Sequence, residues 1–463
     1  MNLTTLKNNR RWLLIIALIL LLPQALLSAT PKNIIFFIGD GMASTQRQVA
    51  EEVYERRLAM NTLPVVGLYT TYSEDSIITD SAAAATAMAT GHKTENSVIS
   101  MDAEGEIAYE TIAEAARRLG KSVGLLTTTR ITHATPAAFG SHTESRGDEN
   151  SIAIQFLDSG IDVLMGGGRQ HFIPKGTNKS RRWDNRDLLS DFQNKGYQIV
   201  QDRDALESLP VQNRSRVLGL FSDSHMPYYL DRTEEIPSLA EMTRVAVKIL
   251  SQNPKGFFLM VEGGRIDHAA HGNAPAGTMG DLLEFDDAVA VGIEFSKSAP
   301  STLLLVGGDH ETGGMGMGIG GGYFMKPEVI KKVTRSEFGM GYGKIMKDPD
   351  LAYDVFKKYA GIEKLKPEEK KMLEVAIQHI KDGKGLKSPN KTYNPSWLGY
   401  TFSNILSQRA RIGWTSYAHT GHPVMLTAGG PGSETFMGFY DNTDVCLKMA
   451  SLWGVSLKSW KVE

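Results

Sequence analysis

Cysteine is almost missing from this sequence, with Cys446 the only one among 463 residues. A single cysteine excludes any internal disulfide, so an exported chain of this kind depends on its apolar core and on bound metals. Cys446 itself reads as a small buried apolar residue rather than a catalytic thiol. A surplus of charge is missing as well: Lys and Arg total 50 against 52 Asp and Glu. That balance argues against nucleic-acid binding as a function, which calls for a basic excess or stripe. There is no internal repeat and no long disordered tract. The apolar run from Trp12 to Leu22 is too short to span a membrane comfortably.

That run has a different reading. Lys7, Arg10 and Arg11 precede it, and Pro23 and small residues follow up to Ala29. A basic segment followed by a short apolar one is the secretory pattern. Residues 1–29 are therefore expected to be a signal peptide directing export to the periplasm or the exterior, with 30–463 as the working chain. A cut after Ala29 leaves Leu27 at a position where a small residue is usual, so an uncleaved membrane anchor is the alternative. With no cysteine nearby, a bacterial lipoprotein attachment is excluded.

Glycine is plentiful, at 46 residues, much of it in short runs beside charged ones. The length suits one large α/β domain or two smaller ones. Near-continuous apolar runs at Asn33–Ile38, Ser122–Leu126, Asp162–Met165, Gly256–Val261 and Thr302–Val306 read as strands covered on both faces. Helical patterns fall between them. The clearest, Leu239–Leu250, starts at a capping box of Ser238 with Glu241 and stops before Asn253-Pro254. The alternation predicts an α/β fold, doubly wound, with a mostly parallel central sheet and helices on both faces. The Lys- and Glu-rich stretch 323–408, with helical segments such as Pro367–Lys381, breaks the rhythm and reads as an inserted helical subdomain. Its charged faces are most simply solvated; a cap over the site or a dimer contact is the sharper reading.

Three strand candidates run directly into acids: Asp40 in Gly39-Asp40-Gly41, Glu262 before Gly263-Gly264, and Asp309-His310 after Gly307-Gly308. One Asp-Gly after a strand is usually a turn. Three acids at the carboxyl ends of strands should instead converge at the sheet edge where α/β proteins bind ligands. Asp267 and His271, four apart, share one face if their segment is helical, as paired metal ligands do. His419, far along the chain, would alone read as an ordinary polar histidine. Mixed oxygen and imidazole donors suit zinc, and carboxylates with a hydroxyl suit magnesium. In Thr79-Asp80-Ser81, followed by an alanine run, Ser81 falls at or near a helix N-terminus. The plain alternative is a helix cap, but such an end also attracts phosphate.

The ensemble resembles the alkaline phosphatase family along nearly the whole mature chain. The resemblance is carried by Asp40-Gly41-Met42, Thr79-Asp80-Ser81, His133-Ala134-Thr135-Pro136, Gly166-Gly167-Gly168-Arg169, Val261 to His268, Asp309-His310-Glu311-Thr312 and His419-Thr420-Gly421. It implies hydrolysis of small-molecule phosphate monoesters to alcohol and inorganic phosphate, through a phosphoserine on Ser81, at two Zn2+ and one Mg2+. Asp267, His271 and His419 would hold the first zinc, and Asp309, His310 and Asp40 the second. Asp40 would extend to the magnesium with Thr135 and Glu262, with His133 bound there or just behind. Arg146 matches the arginine that clamps the phosphoryl oxygens, and a homodimer is implied too. His133 and His268 stand where relatives differ, some having Asp and Lys. His422 is larger than the residue usual at its place: an outer group, a competing ligand or a plain surface histidine. A diesterase usually lacks the third metal site and the arginine, and a sulfatase needs a different nucleophile motif. A non-catalytic phosphate-binding protein would not need Ser81.

Overall fold

The five apolar runs become the contiguous centre of one ten-stranded sheet. The computed structural model describes residues 30–211, 215–341, 343–383 and 397–462, so the expected signal, 1–29, lies outside the described residues. In chain order the strands are β1 (Asn33–Gly39), β2 (Val65–Thr70), β3 (Ser122–Arg130), β4 (Val163–Gly167), β5 (Tyr197–Val200), β6 (Arg216–Leu220), β7 (Phe257–Glu262), β8 (Thr302–Gly308), β9 (Val424–Gly429) and β10 (Gly438–Asp441). Their spatial order is β10-β2-β9-β8-β1-β7-β3-β4-β6-β5. Every neighbouring pair is parallel except those of β9, which runs antiparallel to both β2 and β8.

Alternate side chains of a strand point to opposite faces, and β1 feeds two separate cores in this way. Ile35 and Phe37 join one cluster with Val49, Met242 and Leu282, and Ile34, Phe36 and Ile38 join another with Ala82, Ala137 and Phe139. The helices on the first side are α1 (Ser44–Tyr54), α4 (Leu239–Leu250) and α6 (Pro275–Ser298). Those on the second are α2 (Ser81–Thr90) and α3 (Ala134–Gly140). The sheet is therefore covered on both faces, which is why its central strands carry no polar alternation. The α4 capping box forms as read, with Glu241 N donating to Ser238 Oγ at 3.2 Å and Ser238 N to Glu241 Oε2 at 2.7 Å.

Between β8 and β9 lie helices Ala352–Ala360, Pro367–Lys381 and Trp397–Ala410. They pack on one another through the stacked rings of Phe356 and Phe402, 4.6 Å apart, and through Arg409 Nε on Glu369 Oε1 at 2.7 Å. Glu337 ties the region to α6 by accepting from Ala276 N at 2.8 Å and Gly277 N at 2.9 Å. Cys446 is buried, its Sγ 3.0 Å from Ala89 O, and burial pushes its thiol pKa up. No described helix is long and apolar enough to cross a membrane.

Candidate active site

Register fixes where the acids meet. Ile38 pairs with Glu262 and Gly39 with Gly308, so Asp40, Glu262 and Asp309 leave three adjacent central strands at the same edge. Gly41 lets the turns close on one another. Its φ is +72°, and an added Cβ would stand 2.9 Å from Asp267 Cα. Asp40, Glu262 and Asp309 are buried completely. Both oxygens of Asp40, Oε1 of Glu262 and Oδ2 of Asp309 accept no hydrogen bond. Burial, then their mutual repulsion, holds the Asp40 carboxyl well above its usual range. The same causes bring Glu262 to about 7 and Asp309 to about 6. Buried carboxylate oxygens that accept nothing are expensive unless a cation compensates them.

The histidines complete that demand. Asp267 lies on α5 (Arg265–Ala270), with His271 at its C-terminal cap. His271 Nδ1 is 2.7 Å from Tyr417 O, and His419 Nδ1 is 2.8 Å from Thr79 O. A carbonyl only accepts, so each Nδ1 carries the proton and each Nε2 presents a lone pair. The two Nε2 atoms face each other at 3.1 Å, and Asp267 Oδ1 lies 3.4 Å from one and 3.5 Å from the other. Three lone pairs directed at one point repel unless a cation sits between them. Burial would raise the Asp267 pKa, but the imidazoles of His271, His419 and His310 outweigh it and lower it.

His310 Nε2 lies 3.2 Å from Asp309 Oδ2 and 3.6 Å from Asp40 Oδ1. Burial depresses the His310 pKa to about 4 and the His419 pKa to about 3, so both rings are neutral and able to ligate. Their stacked rings, 3.6 Å between centroids, join this group to the preceding one. The third group is Asp40, His133 and Glu262, whose ligand atoms lie within 4.8 Å of one another; Thr135 is buried, and its Oγ1 meets no hydrogen-bond partner among the described residues. The donor chemistry of these groups, two of mixed nitrogen and oxygen and one richer in oxygen, is the kind that holds metal ions.

Ser81 opens α2. Asp80 caps the helix through Oδ1, accepting from Ala83 N at 3.0 Å, and its Oδ2 accepts from Arg146 Nη1 at 2.9 Å. Ser81 Oγ stands 3.2 Å from His310 Nε2. A cavity of about 550 Å3 opens over Ser81, Arg146, His271 and His419. Among the described residues, none of those lining it comes from 323–408. His422 is exposed on the surface, with Thr420 Oγ1 2.8 Å from its Nδ1.

The residue-level match to known proteins decides the family. An alkaline phosphatase family model matches residues 31–455. The chain belongs to the alkaline phosphatase family. Alkaline phosphatase 3 of Bacillus subtilis is 38% identical over 433 residues, covering 89% of this chain and 87% of its own. Among solved structures, the Thermus thermophilus alkaline phosphatase is 31% identical with a TM-score of 0.82, covering 94% of this chain and 93% of that one. The cold-active alkaline phosphatase of a psychrophilic Shewanella is 33% identical with a TM-score of 0.80, covering 91% and 99%. The protein is thus a metal-dependent phosphoric monoester hydrolase.

Several residues around the site were given no role by the sequence, although Glu311, Thr312 and Thr420 stand in motifs that carry the resemblance. Glu311 accepts from Gln46 Nε2 at 2.7 Å, from Gly314 N at 2.9 Å and from Thr420 Oγ1. It thereby ties α1 to the loop that presents His419. Thr312 Oγ1 donates to Asp267 Oδ1 at 2.6 Å, and Thr127 donates to Glu262. Arg130, Glu149 and His225 line the cavity, and only the tertiary fold brings them there.

Proposed function

We propose that this alkaline phosphatase works through a phosphoserine on Ser81, with two zinc ions and one magnesium ion in the three ligand groups. The first zinc falls to Asp267, His271 and His419, and the second to Asp309, His310 and Asp40. The magnesium falls to Asp40, Thr135 and Glu262, with His133 beside it. These ions would supply Lewis-acid charge for the entering and leaving oxygens and lower the pKa of the hydroxyl or water they contact.

The chain's own groups do the positioning. Ser81 presents Oγ at the first turn of α2, where backbone N–H groups attract an anion. The planar guanidinium of Arg146, pinned by Asp80, offers parallel donors to the phosphoryl oxygens. Ser81 Oγ attacks phosphorus as the ester P–O bond breaks, and the alcohol leaves with a proton. Water then attacks from the side opposite Oγ, the Oγ–P bond breaks, Ser81 Oγ takes up a proton from that water, and inorganic phosphate departs. Two in-line displacements give retention at phosphorus. The observation that carries this reading is Ser81 Oγ at 3.2 Å from His310 Nε2, on a helix whose cap also holds Arg146.

Acid quenching during turnover, followed by peptide mass analysis, tests it: one phosphate should sit on the peptide bearing Ser81 and vanish in Ser81→Ala. Phosphate trapped on another residue, or full activity in Ser81→Ala, would refute it. Export directed by residues 1–29, the helical insertion at 323–408 and a homodimer belong to the same proposal. Fractionation of the expressing cells and sedimentation of the purified protein test the first and last.

A further inference from the structure

The motif Gly166-Gly167-Gly168-Arg169 has no part in the mechanism above, yet it fastens a loop to the active-site wall. Gly168 N donates to Ser222 O at 3.0 Å and to Ser224 O at 2.8 Å, and Gln170 N donates to Asp223 O at 3.0 Å. Arg169 Nε donates to Asp223 Oδ1 at 2.8 Å. A Cβ on Gly167 would stand 2.0 Å from Ser224 O, so the loop can come this close only to a glycine. On its far side Met226 N donates to Thr128 O of β3 at 3.1 Å. Clamped at both ends, the loop delivers His225 into the cavity that holds Ser81.

His225 meets Arg130 there. Its Nδ1 lies 3.3 Å from Arg130 N, and its Nε2 contacts Arg130 Nη1. One ring nitrogen must carry a proton, yet both face N–H groups of Arg130, so this corner holds more donors than acceptors. The one nearby carboxylate oxygen that serves it, Glu149 Oε2, already accepts from Arg130 Nε at 2.7 Å and from Thr132 Oγ1 at 2.6 Å. Arg130 Nη2 donates to none of the described residues. The corner lies one imidazole away from the phosphoryl clamp: the His225 and His133 rings are 5.3 Å apart, and His133 Nε2 is 3.3 Å from Arg146 Nη2. The shared cavity, about 550 Å3, leaves room for a leaving alcohol beside the phosphoryl group.

We propose that Arg130 and His225 form a subsite for a second anionic group on the alcohol part of the ester, a carboxylate or a further phosphate. Surplus N–H donors on a fixed wall are what the oxygens of such a group satisfy. The inference rests on the monoesterase reading and adds a substrate class to it: phosphorylated hydroxy acids and bisphosphates are favoured over esters of neutral alcohols.

The test compares phosphoglycerate with glycerol phosphate on the metal-loaded protein. The native ratio of kcat/KM should favour phosphoglycerate. It should fall by about tenfold or more in Arg130→Gln and in His225→Leu, and recover in part in Arg130→Lys, which keeps the charge but loses the fork. Metal content is measured in each variant, so a collapsed site is recognised. An equal loss on both esters, or a ratio unchanged in both variants, would overturn the subsite. Calorimetric binding of phosphonoacetate against methylphosphonate needs no turnover. The native protein should prefer phosphonoacetate and both variants should lose that preference; no native preference would overturn the subsite. Absence of turnover with the phosphonate preference intact would overturn the monoesterase reading and leave the subsite standing.

Discussion

His271 and His419 face each other Nε2 to Nε2 at 3.1 Å, and the Nδ1 of each ring is already committed to a backbone carbonyl. Neither ring can rotate to relieve that contact without abandoning its carbonyl. With Asp267 Oδ1 beside both, the pair presents the lone pairs that a cation would satisfy.

His271→Ala and His419→Ala should each lose about one bound transition metal per chain. Activity should fall by more than the roughly 10–100-fold typical when an outer partner of a metal ligand is removed. Metal analysis of the purified variants beside the native protein checks this; native stoichiometry in both would contradict it.

Asp80 caps α2 through Oδ1, while its Oδ2 accepts from Arg146 Nη1 and also from Ser97 N at 3.1 Å. Asparagine caps a helix as well as aspartate does. Asp80→Asn should therefore keep the helix cap while weakening the hold on Arg146, raising the inhibition constant of phosphate about tenfold, in line with loss of a charge-assisted hydrogen bond. Asp80→Ala should add a cap loss of about 1 kcal/mol. Phosphate inhibition and thermal unfolding of the two variants separate these effects.

In the metal-free protein Glu262 and Asp309 should contribute less stability as pH rises through about 6 to 7. His310 and His419 run the opposite way, since their lowered pKa values add stability as pH rises toward the unfolded histidine value. Glu262 is held at about 7 and Asp309 at about 6 by burial and neighbouring charge. A carboxyl raised on folding contributes fully below its unfolded value, about 4, and that contribution is lost as pH passes its folded value. Asp267 is lowered instead, so its contribution is lost only at more acid pH. Melting of chelator-treated protein across pH 5–8, native beside Glu262→Gln, isolates the carboxyl's part: the native protein should lose stability relative to the variant as pH rises, and added metal should reverse the loss. A slope unchanged by Glu262→Gln would contradict the assignment.

His133 lends an imidazole to a group otherwise made of oxygen donors, and imidazole suits zinc better than magnesium. Excess zinc should displace magnesium there and lower activity, and His133→Asp should blunt the effect. Assays at graded zinc with parallel metal analysis decide it; indifference to zinc in the native protein would sink the idea.

The sequence revealed the centre of the fold better than its margins. β1, β3, β4, β7 and β8 are buried on both faces and read as plain apolar runs, and the acids at the ends of β1, β7 and β8 come together at one edge of the sheet. β2 and β10 lie at an edge, where Leu68 and Phe439 pair in register and stay exposed, so their composition carries little signal. The reversed direction of β9 leaves no trace in residue pattern, since the side-chain period is the same either way. The spacing of Asp267 and His271 foreshadowed their contact. Arg130 and His225, 95 positions apart, could meet only through the clamped glycine loop.

The most direct measurement is hydrolysis of a chromogenic phosphate monoester at alkaline pH, with and without a chelator, beside the matching diester and sulfate ester. The account requires strong monoester turnover that chelation abolishes and that zinc plus magnesium restore together. Turnover that survives chelation, or a preference for the diester or sulfate ester, would contradict it.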